Sequence, residues 1–141
     1  MPSDHDRAYA KPLHPLHAVL LAGTVPLFLG ALLSDWAYSA SYQIQWKNFA
    51  SWLIVGGLVF AGFALLAALI GLIRGRRGRR SIIYVLLLLA AFVLGFVDAL
   101  VHAKDSWASM PEALILSAIV TLLVLVATWL GFSTLRAGVT P

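Results

Sequence analysis

Asp98 and His102 are the residues of this chain best placed to do chemistry. They stand four apart, just beyond a run from Ser81 to Val97 that contains no Asp, Glu, Lys or Arg. On a helix such residues are neighbours, so the carboxylate can hydrogen-bond the imidazole. That pair can be structural, can position a proton carrier, or can orient an imidazole that ligates a metal or a haem. An ionised carboxylate facing lipid is costly, so Asp98 should face the inside of a bundle, be paired, or hold a proton.

Three helical stripes extend the pattern. His17, Thr24, Ala31, Asp35 and Tyr38 fall on one face of a first apolar run. Tyr84, Leu88, Ala91, Gly95, Asp98 and His102 fall on one face of a third, and Ser117, Thr121, Val124 and Thr128 on one face of a fourth. If those faces turn inward, Asp35, Asp98, His102 and Ser117, with Thr121 beside them, converge in one half of the protein. Asp35, Asp98 and His102 could also supply three metal ligands, although no tight spacing motif marks them. His14 and His17 bracket the start of the first run in Leu13-His14-Pro15-Leu16-His17. A helix N-terminus disfavours an imidazolium, so these two are a second set of candidate ligands.

The elements that carry these stripes are set by composition. The chain has 141 residues, of which 61% are apolar and 11% charged, against about 45–50% and about 25% in a typical soluble domain. A domain this small cannot bury so much apolar surface in water. Lipid is therefore the solvent for most of it, which excludes a typical soluble enzyme or a nucleic-acid-binding module. A membrane helix needs about 20 largely apolar residues, and four windows qualify. The expected fold is all-α, an integral membrane four-helix bundle, with helices near 16–38, 49–73, 81–102 and 111–134. Residues 1–11 form a polar, mobile N-terminus, 12–136 the four-span domain and 137–141 a C-terminal tail. The first run is too long for the core of a cleavable signal peptide.

Lys and Arg give the direction. The segment Arg74-Gly75-Arg76-Arg77-Gly78-Arg79-Arg80 carries five arginines in seven residues, which marks a cytoplasmic loop. Four spans then place both termini in the cytoplasm, with eight basic residues inside and only Lys47 and Lys104 outside. Trp36, Tyr38, Tyr42, Trp46, Trp52 and Trp107 are expected at the outer interface, Tyr84 and Trp129 at the inner one. Ser109-Met110-Pro111-Glu112 reads as a capping box opening the fourth helix. Pro26 should kink the first. Gly57/Ala61, Ala64/Ala68, Ala91/Gly95 and Ala127/Gly131 are small-residue pairs suited to close packing, within the chain or across a homodimer. There is no cysteine, so thiolate chemistry is absent. Catalytic triads, phosphate-cradling glycine loops and dinucleotide fingerprints are absent too.

His14-Pro15, Asp35, the glycine- and alanine-rich second run, Val101-His102-Ala103-Lys104-Asp105-Ser106-Trp107, Leu116-Ser117-Ala118-Ile119 and Trp129-Leu130-Gly131 together carry a likeness. The chain resembles a family of small bacterial inner-membrane proteins classed as a domain of unknown function. The resemblance implies four membrane helices. Some relatives carry a Rieske-type iron–sulfur domain, which implies an electron-transfer setting. The function expected is an accessory membrane protein linked to redox or respiratory chemistry, with a redox partner and a haem b or quinone held by His102, Asp98, Asp35 and Ser117. A cofactor-free structural or partner-binding subunit and a small transporter or proton path are the alternatives. His17 and His102 belong to opposite membrane faces, so they cannot sandwich one haem within a monomer. His102 paired across a dimer, single-histidine ligation, or no haem remain.

Overall fold

The computed structural model describes residues 14–75 and 77–136, without the side chains of 134–136. The expected polar N-terminus, 1–11, and tail, 137–141, lie outside the described residues. Four helices follow in order: α1 (Pro15–Ser41), α2 (Ile44–Ile73), α3 (Arg79–His102) and α4 (Glu112–Arg136). Among the described residues there is no strand. Each helix is long and apolar enough to cross a membrane. The shortest, with 24 residues, reaches about 36 Å at 1.5 Å per residue, against a hydrocarbon thickness of about 30 Å.

Local chemistry sets the helix ends. Pro15 occupies the first turn of α1, where its missing N–H leaves no bond unmade. His14 precedes it and accepts from the Leu16 N–H through Nδ1, at 3.2 Å. At the other end Tyr42 takes a left-handed conformation, φ 54°, and donates its N–H to the Tyr38 carbonyl. The α1–α2 connection is thereby only two residues long, shorter than the polar stretch 39–48 suggests. Ser39 and Ser41 donate to the carbonyls of Trp36 and Ala37, so this polar stretch stays helical instead of opening into a loop. Between α3 and α4 a single 3₁₀ turn spans Ser106–Ala108.

The capping box does not form as expected. Ser109 donates to the Ser106 carbonyl, within the turn before the helix, and Glu112 accepts from Lys104. The 3₁₀ turn captures the serine, and α4 begins at Glu112, after Pro111. Pro26 does not end α1, which is helical throughout Pro15–Ser41.

The helices form a ring in chain order, α1 packing on α2 and α4, and α3 on the same two. Phe28, Ala31, Ile54, Ala61, Ala91, Val120 and Val124 make one layer of the core, and Leu21, Ala64, Leu65, Val85, Leu88 and Ala127 the next. Large apolar side chains such as Phe63, Leu66, Leu86, Phe96, Leu122 and Trp129 point outward, as a lipid solvent requires. Because lipid gives little drive for helix association, close approach matters. Gly57 provides it: a Cβ there would stand 2.8 Å from the Phe28 ring. The small residues of α2 therefore serve a seam inside the bundle.

Replacing Gly57 by Val should force Phe28 aside and cost about 1–3 kcal/mol. Gly78→Ala, in open space, should stay within about 0.5 kcal/mol. Unfolding of the two variants in detergent, compared with the parent chain, measures the difference.

Candidate functional site

At the end of the bundle opposite the arginine-rich loop, three helices bring four polar side chains to one point. Asp35 comes from the penultimate turn of α1, Asp98 and His102 from the last turns of α3, and Ser117 from the second turn of α4. Small neighbours permit the meeting: Ala31 lies one turn below Asp35, and Gly95 about one turn below Asp98, both buried. Asp35 and Asp98 have no solvent exposure, Ser117 has 1% and His102 6%.

His102 joins the group with both ring nitrogens. Nδ1 lies 2.9 Å from the Asp98 backbone carbonyl. A carbonyl only accepts, so Nδ1 carries a hydrogen and donates it. Nε2 lies 2.7 Å from Asp35 Oδ1. The Ser117 hydroxyl sits between the two carboxyls, hydrogen-bonded to Asp35 Oδ2 and 2.9 Å from Asp98 Oδ2. Below it, Thr121 Oγ1 shares its hydrogen between the carbonyls of Ser117, at 2.7 Å, and Phe28, at 3.1 Å. That bond ties α4 back to α1.

One hydrogen must lie on the line between His102 Nε2 and Asp35 Oδ1, since two lone pairs at that distance would repel. The single Ser117 hydrogen faces both carboxyls, as the Thr121 hydrogen faces two carbonyls. With neutral histidine and two carboxylates the group would carry two negative charges, which a lipid-embedded site must balance. One atom stays outside this network. Asp98 Oδ1 is buried without a hydrogen bond, although His102 Nδ1 is only 3.1 Å away, because the Nδ1 hydrogen is directed to the backbone carbonyl.

The rim closes over the group. Tyr38 is buried and donates to the Ser106 carbonyl at 2.9 Å. Lys47, also buried, donates to the Lys104 carbonyl at 2.6 Å. Both residues thus hold the α3–α4 loop instead of facing outward as interfacial aromatic or charge. Lys104 pairs with Glu112 at 3.1 Å, not with Asp98. No period or motif marks Lys47 in the sequence; its role follows from the short α1–α2 turn, which brings it to the loop. The i+4 spacing suggests Asp98 as the carboxylate partner of His102, and Asp98 Oδ1 does lie 3.1 Å from Nδ1; Asp35, on another helix, adds the hydrogen bond at Nε2.

His14 and His17 are not part of this group. His14 is the exposed cap of α1, and His17 Nε2 hydrogen-bonds the Tyr84 hydroxyl at 2.7 Å. His17 is 18 residues from Asp35, about 27 Å along the helix. A haem needs open space for its macrocycle beside the ligating nitrogen, and both nitrogens of His102 face oxygens of α1 and α3 at 2.7–2.9 Å inside the bundle. Two grooves of about 420 and 470 Å³ lie on the bundle's flanks, one on α2 and α3 around Phe63 and Phe96, the other on α1 and α4 around Pro26 and Trp129. Neither is lined by a residue of the polar group, so a ring seated in them would not reach it.

A family model described as "Predicted membrane protein (DUF2231)" matches residues 13–139. The chain belongs to that family. DUF2231 is a membrane family without an assigned activity, as the resemblance in the sequence implies, and its matched span contains His14, His17 and the whole polar group. Searches against curated proteins and against solved structures give no match.

Removing the Ser117 hydroxyl leaves two carboxyls facing each other without their shared partner. Ser117→Ala should lower stability by about 1–3 kcal/mol, the cost of unsatisfied buried groups. Ser39→Ala, which removes an exposed bond, should change it by less than about 0.5 kcal/mol. Thermal unfolding in detergent tests the contrast.

Proposed function

We propose that this DUF2231 protein is a multi-pass accessory protein of a bacterial inner membrane, and that the Asp35–His102–Asp98–Ser117 group is its working centre. Asp98 Oδ1, fully buried without a hydrogen bond and only 3.1 Å from His102 Nδ1, carries the reading. A buried carboxyl oxygen without a hydrogen bond costs about 1–3 kcal/mol, which a clamp between helices does not call for. Ionisable residues inside membrane bundles are in general functional for the same energetic reason. The electron-transfer setting rests on the resemblance, in which some relatives carry Rieske-type domains. In that setting the centre serves a redox partner from the outer half of the membrane, beside a quinone or another carrier held by the partner. The arginines of the α2–α3 loop support a cytoplasmic position for that loop and for both termini.

A second reading, a cofactor-free structural subunit, is favoured by the completeness of the remaining network. Three of the four carboxyl oxygens are hydrogen-bonded, and so are both imidazole nitrogens. Asp98→Asn separates the two. It keeps the shape and a bond to Ser117 but removes the ionisable group. A working centre predicts a several-fold loss of quinol-dependent oxygen uptake by membranes from cells carrying the variant, at unchanged protein level. Unchanged uptake with lowered thermal stability would establish the structural reading instead.

Orientation has its own check, made simple by the lack of native cysteine. In intact cells a membrane-impermeant thiol reagent should label a Trp107→Cys chain and leave a Gly78→Cys chain unlabelled. The opposite pattern would invert the topology.

A further inference from the structure

We propose that the polar group is a binding site for one divalent first-row transition-metal ion, held by His102, Asp35 and Asp98 with Ser117 beside them. This deepens the reading of the group as a working centre and rests on it only for the function the ion would serve.

The donor set is the first argument. One atom each from Asp35, Asp98 and His102 lie within 4.8 Å of one another, all buried. A four-coordinate ion at about 2.0–2.1 Å from nitrogen and oxygen donors can be enclosed by such a set after small side-chain rotations. Two carboxylates, one imidazole and a hydroxyl are donors of the kind that suit the divalent ions from manganese to zinc, and with no cysteine the set has nothing to favour a softer ion.

The second argument is the orientation of His102. Its Nδ1 hydrogen is held by the Asp98 backbone carbonyl at 2.9 Å. Metal-ligating histidines commonly donate their second nitrogen in this way, which fixes the tautomer and aims the other nitrogen at the ion. Here Nε2 is aimed at the Asp35 carboxylate. The third argument is the orphaned oxygen. Asp98 Oδ1 is fully buried without a hydrogen bond, 3.1 Å from His102 Nδ1. A small turn of the Asp98 carboxyl offers an oxygen to an ion held on Nε2, the three donors lying within 4.8 Å of one another.

Charge closes the argument. Two carboxylates and a neutral imidazole need two positive charges to be neutral in lipid. One divalent ion supplies that charge at the point where the carboxyls and the imidazole meet. Tyr38 and Lys47 hold the α3–α4 loop, and the group beside it is buried from water.

The test uses the full chain in mild detergent, stripped with a chelator and dialysed against zinc chloride. One zinc per chain by elemental analysis is expected, with affinity reduced more than the 10–100-fold typical of a lost outer-shell partner in both Asp98→Asn and His102→Gln. His14→Gln and His17→Gln should bind as the parent does. Cobalt chloride should give visible d–d bands in the parent chain, which Asp98→Glu should shift; this readout stands even if the ligand-removing variants fail to fold. A folded parent chain that takes up no zinc and gives no cobalt bands overturns the proposal, as does uptake lost in His14→Gln but kept in Asp98→Asn. A chain that binds no metal while Asp98→Asn still lowers oxygen uptake would sink the metal site and keep the working centre. One that binds metal while uptake is indifferent would do the reverse.

Discussion

Two carboxylates held in a bundle that lipid surrounds must be neutralised, and much of the end of the bundle opposite the arginine-rich loop follows from that demand. An isolated ionised side chain in such a place is expensive. Asp35 is acceptable because His102 faces it at 2.7 Å, and Asp98 because Ser117 bridges it to Asp35. The three helices that supply these groups cannot drift apart without exposing a charge. Removing one partner of a buried pair leaves the other uncompensated, which in proteins is far more damaging than the net worth of the pair.

The rest of the architecture can be understood as what lets α1, α3 and α4 meet there. Ala31, Ala91 and Gly95 keep the layer beneath the centre small on the α1 and α3 sides. Phe28 fills the middle of the ring, and Gly57 on α2 makes room for its ring. The helix α2 contributes no side chain to the centre. It closes the ring as an apolar wall, and at its outer end Lys47 reaches across to hold the α3–α4 loop.

The helices and their inward faces were legible in the sequence because lipid-length apolar runs and a 3.6-residue period are strong signals. His17, Thr24, Ala31, Asp35 and Tyr38 form a stripe of α1 that is buried along its length. The meeting of Asp35, Asp98, His102 and Ser117 was legible for the same reason: each is on an inward face at a matching depth. The pairing within that meeting was legible in part. Sequence spacing reports neighbours on one helix, so it shows Asp98 beside the ring of His102 but not Asp35, which faces the ring from another helix. Polar ends misled for a related reason. Ser39 and Ser41 looked like loop residues, but a serine that bonds back to its own helix extends it. The Ser109-x-x-Glu112 pattern was a real local option that a stronger local bond, to Ser106, displaced.

The two ends of the bundle show how little is needed merely to tie α1 to α3. Near the arginine-rich loop the link is a histidine and a tyrosine, His17 and Tyr84, at 2.7 Å. Neither group need be charged for that bond to form, so this tie raises no problem of neutralisation. At the opposite end the same two helices are joined through two carboxyls, an imidazole and a hydroxyl, which bring two charges to be balanced and one buried oxygen without a hydrogen bond. Cohesion of α1 and α3 is thus met by one neutral bond at one end, while the other end carries an electrostatic demand that cohesion does not require.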